Sequence, residues 1–188
     1  LVDTDGTDIS PQEFLADIPP ALKRKLDRWV ILNTIKRLAK QRAKGNDTRL
    51  FVNISNESLI DESLIIWLSK LIKASKLPSS CLIFQFTEAY AINHLQQAQQ
   101  LTKTLAKMGS LVAISRFGSA IDPYKLLDHI HVDYIKVDGS FTQELTTDKG
   151  MASLKHLLNG INERNKASIV PFVENASIVA QLWTSGVA

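Results

Sequence analysis

Five short, almost continuously apolar runs, near residues 49–55, 81–86, 111–114, 132–137 and 168–170, alternate with helix-periodic stretches along the 188 residues. A strand that is apolar on both faces must be covered on both, so the repeat predicts a parallel sheet buried by crossover helices. An open doubly wound sheet and a closed (β/α)8 barrel share this signature. In either, ligands gather at the C-terminal ends of the strands. Polar residues cluster there: Asn53 and Ser55, Thr87 and Glu88, Ser115 and Arg116, Lys136 and Asp138, Glu174 and Asn175.

Helices are expected over 21–44, 57–74, 90–108, 122–129, 149–164 and 177–184, where apolar residues recur at helical spacing. Gly45, Gly109 and Gly186 stand just past three of these ends, as helix C-termini favour. Upstream, Ser10, Pro11 and Glu13 follow the order of N-cap, first-turn proline and third-position acid. The segment 3–8 reads as a turn. As a calcium loop it would need a bidentate acid at the loop's last position, where Phe14 stands.

Composition narrows the function. The chain is 45% hydrophobic and 22% charged, enough for one substantial core, and 1–188 reads as a single domain. It begins without Met and stops in mid-pattern, so it reads as a domain lacking strands at both ends. A net charge of +3 can attract an anion, but no Lys/Arg stripe with interleaved aromatics argues for nucleic acid. Cys81 is the single cysteine, which excludes an intrachain disulfide and a Cys-based zinc site. No apolar run reaches the roughly 18 residues that span a bilayer, and no signal peptide is visible, so a cytosolic, reducing compartment is expected. His129 and His131 lack an evident third metal ligand and read as structural. Trp29, Trp67 and Trp183 read as helix-face packing residues.

Five segments in order carry a family resemblance: ISPQEF (9–14) with LDRWV (26–30), FVNIS (51–55), FQFTE (84–88), SRFG (115–118) running into VDYIKVD (132–138), and PFVE (171–174). Together they resemble the EAL domain family of cyclic-di-GMP phosphodiesterases over nearly the whole chain. The resemblance implies an α/β fold, a modified TIM (β/α) barrel, with the ligand at the strands' C-terminal ends. In active members of that family, carboxylates, an Asn and a Gln hold two divalent cations around the hydrolytic water. Phosphodiester cleavage needs that lowered water pKa and that charge neutralisation.

The match fails at the carboxylates. Gln85 stands where the family places the first Glu of FEITE, Ser115 and Arg116 where it places the paired Asp of DDFG, and Pro171 where it places the first Glu of EGVE. Gln85 keeps an oxygen without charge, Ser115 is a weak neutral ligand, and Pro171 offers no side-chain ligand. The Arg116 guanidinium repels a cation and suits phosphate instead. No metal is therefore expected. Asn53, Glu88, Lys136 and Glu174 are kept, and Phe172 takes the place of a Gly.

What remains suits a bare dinucleotide. A ring at Phe172 can stack on a purine for roughly 1–3 kcal/mol per base. Glu174 can accept from the guanine N1–H and N2–H2 pair, and Asp27 can do so for a second guanine. Lys136 and Arg116 would lie near phosphate, with Asn53, Val173, Ser10 and Pro11 completing the cleft. Plainer roles stay open: Phe172 in the core, Asp27 in a surface ion pair, Glu88 anchoring a loop through backbone N–H groups, Lys136 paired with Asp138 or Asp133, and Asn53 bonded to loop backbone. The pattern most resembles the FimX-type receptors of type IV pilus regulation. That resemblance implies a catalytically silent cyclic-di-GMP receptor acting on twitching motility through a PilZ-domain partner. The alternatives are a weak metal-dependent phosphodiesterase and a ligand-free interaction module. Oligomeric state, a homodimer included, is not encoded visibly.

Overall fold

The computed structural model describes residues 5, 6, 8, 10, 14, 15, 17–143, 145, 147–174, 176–183 and 187. Among them, five strands form one all-parallel sheet in sequential order: β1 (Leu50–Asn53), β2 (Leu82–Thr87), β3 (Leu111–Phe117), β4 (Tyr134–Val137) and β5 (Ala167–Ile169). The α/β architecture and the parallel sheet are as the apolar runs predict, and the five strands do not close into a complete ring.

The sheet is nevertheless strongly curled. In a flat sheet, β1 and β4 would stand roughly 14 Å apart, three strand spacings. Instead the Phe51 and Tyr134 rings meet edge to face with centroids 5.6 Å apart, and Arg49 Nη1 donates to Tyr134 Oη at 3.1 Å. Register shows what the concave face carries. Asn53 pairs with Gln85, Thr87 with Ser115, and Ala113 with Tyr134, so these side chains share one face. That face is apolar and aromatic toward the strand starts and polar toward their ends.

The convex face is covered by helices. Pro20–Arg42 (α1) begins on Pro20 and buries Ile31, Ile35 and Leu38, spaced by one turn. Gly45 leaves the helix at φ +81°. Asn56–Leu59 (α2) and Glu62–Ser75 (α3) replace the single helix expected over 57–74. Ser55 caps the first by accepting from Ser58 N, and Asp61 caps the second by accepting from Ser63 N. Two good N-cap residues six apart thus start two helices. Glu88–Asn93 (α4) and Leu95–Lys107 (α5) likewise replace the helix expected over 90–108, with Thr87 capping α4 and His94 breaking the chain at φ −131°, ψ 52°.

Tyr124–Leu127 (α6), Ser140–Gln143 (α7), Asp148–Glu163 (α8) and Ala176–Trp183 (α9) complete the order. The one-turn α7 was not expected, since one turn is too short to show a periodicity. Phe84, Phe86, Ile114 and Phe117 of the sheet join Leu64, Leu68, Leu101, Leu105 and Leu158 in the core. Cys81 is buried and free. Trp67 is partly buried under the Arg28 guanidinium at 5.2 Å. Trp29 and Trp183, expected to pack, are instead exposed. His129 and His131 lie in the loop before β4 rather than on a strand. No helix among the described residues is long and apolar enough to cross a membrane.

Candidate functional site

The polar end of the concave face opens into a two-lobed cleft. One lobe, about 560 Å³, runs toward Phe51, Asp27 and Ser55. The other, about 590 Å³, runs toward Lys136, Asp138, Pro171 and Phe172. Asn53, Gln85, Thr87, Ser115 and Arg116 line both and form the shared wall. A larger hollow of about 880 Å³ on the outer surface of α5 is lined by Gln96, Gln99, Gln100 and Lys103, and is a solvated helix face.

The first lobe is internally bonded. Gln85 Nε2 donates to Asn53 Oδ1 at 2.7 Å across the β1–β2 register pair. Asn53 is therefore bonded to a side chain, not to loop backbone. Asp27 Oδ2 accepts from Ser55 N at 2.8 Å and Ser55 Oγ at 2.6 Å. It is not in an ion pair; its neighbour Arg28 is, with Asp61 at 3.0 Å. Ser115 Oγ donates to the Phe86 carbonyl at 3.3 Å. Behind the lobes and lining neither, Glu88 is 1% exposed and accepts from Ser119 N, Ser119 Oγ and Ala120 N through Oε2, while its Oε1 is buried without a partner among the described residues. That is the loop-anchoring role open to it from sequence.

The second lobe is built differently. The β3–β4 register shifts between Ile114 and Phe117, and inside that irregularity Arg116 takes φ +54°. Bulges re-aim side chains, and this one leaves the guanidinium exposed at the shared wall. Phe172 also has a positive φ, +57°, and its side chain is 77% exposed, which excludes a core role. A non-glycine residue there costs about 1–2 kcal/mol. Two such residues lining one cleft fit the clustering of strain at functional sites. Lys136 is half-buried and pairs with neither Asp133, which accepts from Val112 N, nor Asp138. Bonds from the Ser140 amide and hydroxyl hold the Asp138 carboxyl below its usual pKa; they outweigh partial burial, and Arg116 adds attraction. Beyond the lobe's lining, Glu174 is exposed and Val173 packs against the core; neither lines either lobe.

Of the remaining expected residues, Ser10 is exposed and accepts from Phe14 N through its carbonyl, and it lines neither lobe. Pro11 lies outside the described residues. Gly139, Ser140 and Gln143 line the second lobe without having been picked out from sequence. The Asp138-Gly139-Ser140 turn was their one visible signal.

For a divalent cation, this donor set is poor. The Asn53 oxygen receives an amide, the Ser115 hydroxyl donates to backbone, and Arg116 brings positive charge. Among the described residues no group of three or more His, Cys, Asp or Glu is disposed to hold a metal.

A sequence model of the EAL domain matches residues 1–188. A crystal structure of a FimX EAL domain is 46% identical and superposes with a TM-score of 0.93, covering 99% of this chain and 75% of that one. The FimX EAL domain from Pseudomonas aeruginosa bound to c-di-GMP is 45% identical with a TM-score of 0.91, covering 100% of this chain and 76% of that one. Among curated proteins, the cyclic di-GMP phosphodiesterase PdeB of Shewanella oneidensis is 28% identical over 97% of this chain, which spans 22% of that relative's length.

Proposed function

Because the chain belongs to the EAL domain family, we propose that it is a catalytically silent, metal-free receptor for cyclic-di-GMP. The observation that carries this reading is the contrast inside the cleft. Asn53 and Gln85 are bonded to each other where a cation would be held, while the Arg116 and Lys136 side chains line the cleft without a hydrogen bond or ion pair among the described residues and Phe172 presents an exposed ring. A two-lobed cleft with a shared wall suits a ligand with two bases on one cyclic phosphate backbone.

In this reading Phe172 stacks on one guanine and Glu174 accepts from that guanine's N1–H and N2–H2. Asp27, with Oδ2 held by Ser55, offers Oδ1 to the second guanine. Arg116 and Lys136 offset phosphate charge in place of metal. Val173 positions its two neighbours by packing into the core, and Asn53 holds the shared wall. By likeness to FimX, the receptor acts in the cytoplasm on type IV pilus function and twitching motility, through a PilZ-domain partner.

Calorimetry tests this directly. Cyclic-di-GMP should bind with equal affinity in EDTA and in Mg2+, and cyclic-di-AMP should bind more weakly, since adenine lacks the donor pair that Glu174 reads. Absence of binding, or binding abolished by chelator, overturns the reading. A weak phosphodiesterase is the second reading, favoured by the names of the curated relatives and by the retained Asn53 and Glu88. Linear dinucleotide released on incubation with Mg2+ or Mn2+ would establish it.

A further inference from the structure

Phe172 is held in an unusual place by an unusual neighbour. Its backbone is left-handed and its ring 77% exposed, so packing into the core does not fix where the ring lies. The Cδ2–Cε2 edge of the ring lies against Gly139, just past the end of β4: a Cβ built on Gly139 would lie 3.0 Å from Phe172 Cε2 and 3.1 Å from Cδ2. Those separations are several tenths of an ångström inside ordinary carbon–carbon contact. Gly139 is not among the glycines with positive φ, so its backbone is open to any L-residue.

Its other local duty is to start α7, where its carbonyl accepts from Thr142 N at 3.0 Å and Gln143 N at 3.3 Å. At such an N-terminus, Ser serves better than Gly. Neither backbone conformation nor capping therefore demands a glycine at 139, whereas the ring does.

We infer that Gly139 is the seat of Phe172: by lacking a Cβ it lets the Cδ2–Cε2 edge of the ring settle against the β4 end, leaving a ring face open to the purine. Gly139 is a positioning residue acting through Phe172, and the inference rests on the receptor reading above. Because the ring is exposed, it moves aside at little cost to the fold when the seat is filled.

Gly139→Ser separates the roles, since it keeps or improves the cap while adding the Cβ. The expected result is an unchanged melting temperature and a cyclic-di-GMP affinity weakened by about five-fold or more, the scale of a disturbed stack. In a Phe172→Ala background, Gly139→Ser should have no further effect on affinity. Ligand-free NMR gives an independent readout: the Gly139 Hα resonances should carry a ring-current shift that disappears in Phe172→Ala. Affinity equal to the parent's, an equal loss in the Phe172→Ala background, or Hα shifts indifferent to Phe172 would each overturn the inference while leaving the receptor reading intact. A parent protein that binds no cyclic-di-GMP overturns the receptor reading and, with it, the purine's place on the ring; the NMR comparison still reports on the seat.

Discussion

The two lobes of the cleft solve opposite problems. Toward β1 and β2, the polar groups are committed to the protein: Gln85 to Asn53, Asp27 to Ser55, and Glu88 to the Ser119–Ala120 backbone. Toward β4 and β5, Lys136 and Arg116 are charges without ion pairs, Glu174 is exposed, and Phe172 holds a ring out of the core. Satisfied groups make a rigid wall, while unsatisfied ones await a partner, because each gains most from a ligand that completes it. The lesson is that a cleft poor in carboxylates is still ordered: the groups beside β1 and β2 hold one another, and those beside β4 and β5 face the opening.

The contrast predicts that variants of the groups bonded to one another cost stability and variants of the exposed charges and ring cost affinity. The largest effect is expected for Glu88→Ala, which removes the buried carboxylate that holds the Ser119 and Ala120 donors; chemical denaturation should show a loss of about 1–3 kcal/mol. A neutral result there would erase the distinction. Phe172→Ala should weaken cyclic-di-GMP by roughly ten-fold or more in calorimetry, with the melting temperature hardly moved. Arg116→Ala and Lys136→Ala should each cost roughly three- to ten-fold at low ionic strength, and the gap to the parent should narrow as salt is added. Salt-independent losses would place those side chains away from phosphate.

Gln85→Ala removes one partly exposed hydrogen bond. It should cost about 1 kcal/mol of stability and leave affinity intact, which paired denaturation and calorimetry would check. The smallest effect concerns acid. The folded Asp138 carboxyl sits below its unfolded pKa, so the unfolded chain binds more protons in that window. The stability it contributes is therefore complete above the unfolded value and is lost as pH falls through the folded one. Asp138→Asn should flatten the acid limb of stability slightly below about pH 4. An unchanged limb would mean that Ser140 and Arg116 do not favour the charged form.

Much of this was legible beforehand. The apolar runs predict all five strands within a few residues, because one face of each strand is buried under helices and the other is apolar until near the strand end. The polar tails of those strands name much of the cleft lining, Asn53, Thr87, Ser115, Arg116 and Lys136 among them, because parallel strands all end on one side. Where the helices were misjudged, at Asp61 and His94, local capping or a local backbone break interrupted an apolar period that reads as continuous.

Tertiary structure decided the rest. Nothing in the sequence says that Asp27 is taken by Ser55, or that Gln85 turns its amide onto Asn53, because those pairs form only when β1, β2 and α1 meet. The rest of Phe172 on Gly139 is likewise decided by the pairing of β4 with β5, whose register sets Lys136 beside Ile169 and so brings together loop residues separated by a whole helix. Periodicity and side-chain chemistry along the chain determine which faces are buried and which ends are polar. Which polar groups satisfy each other, and which are left for a ligand, depends on distances across strands, and those exist only in the folded chain.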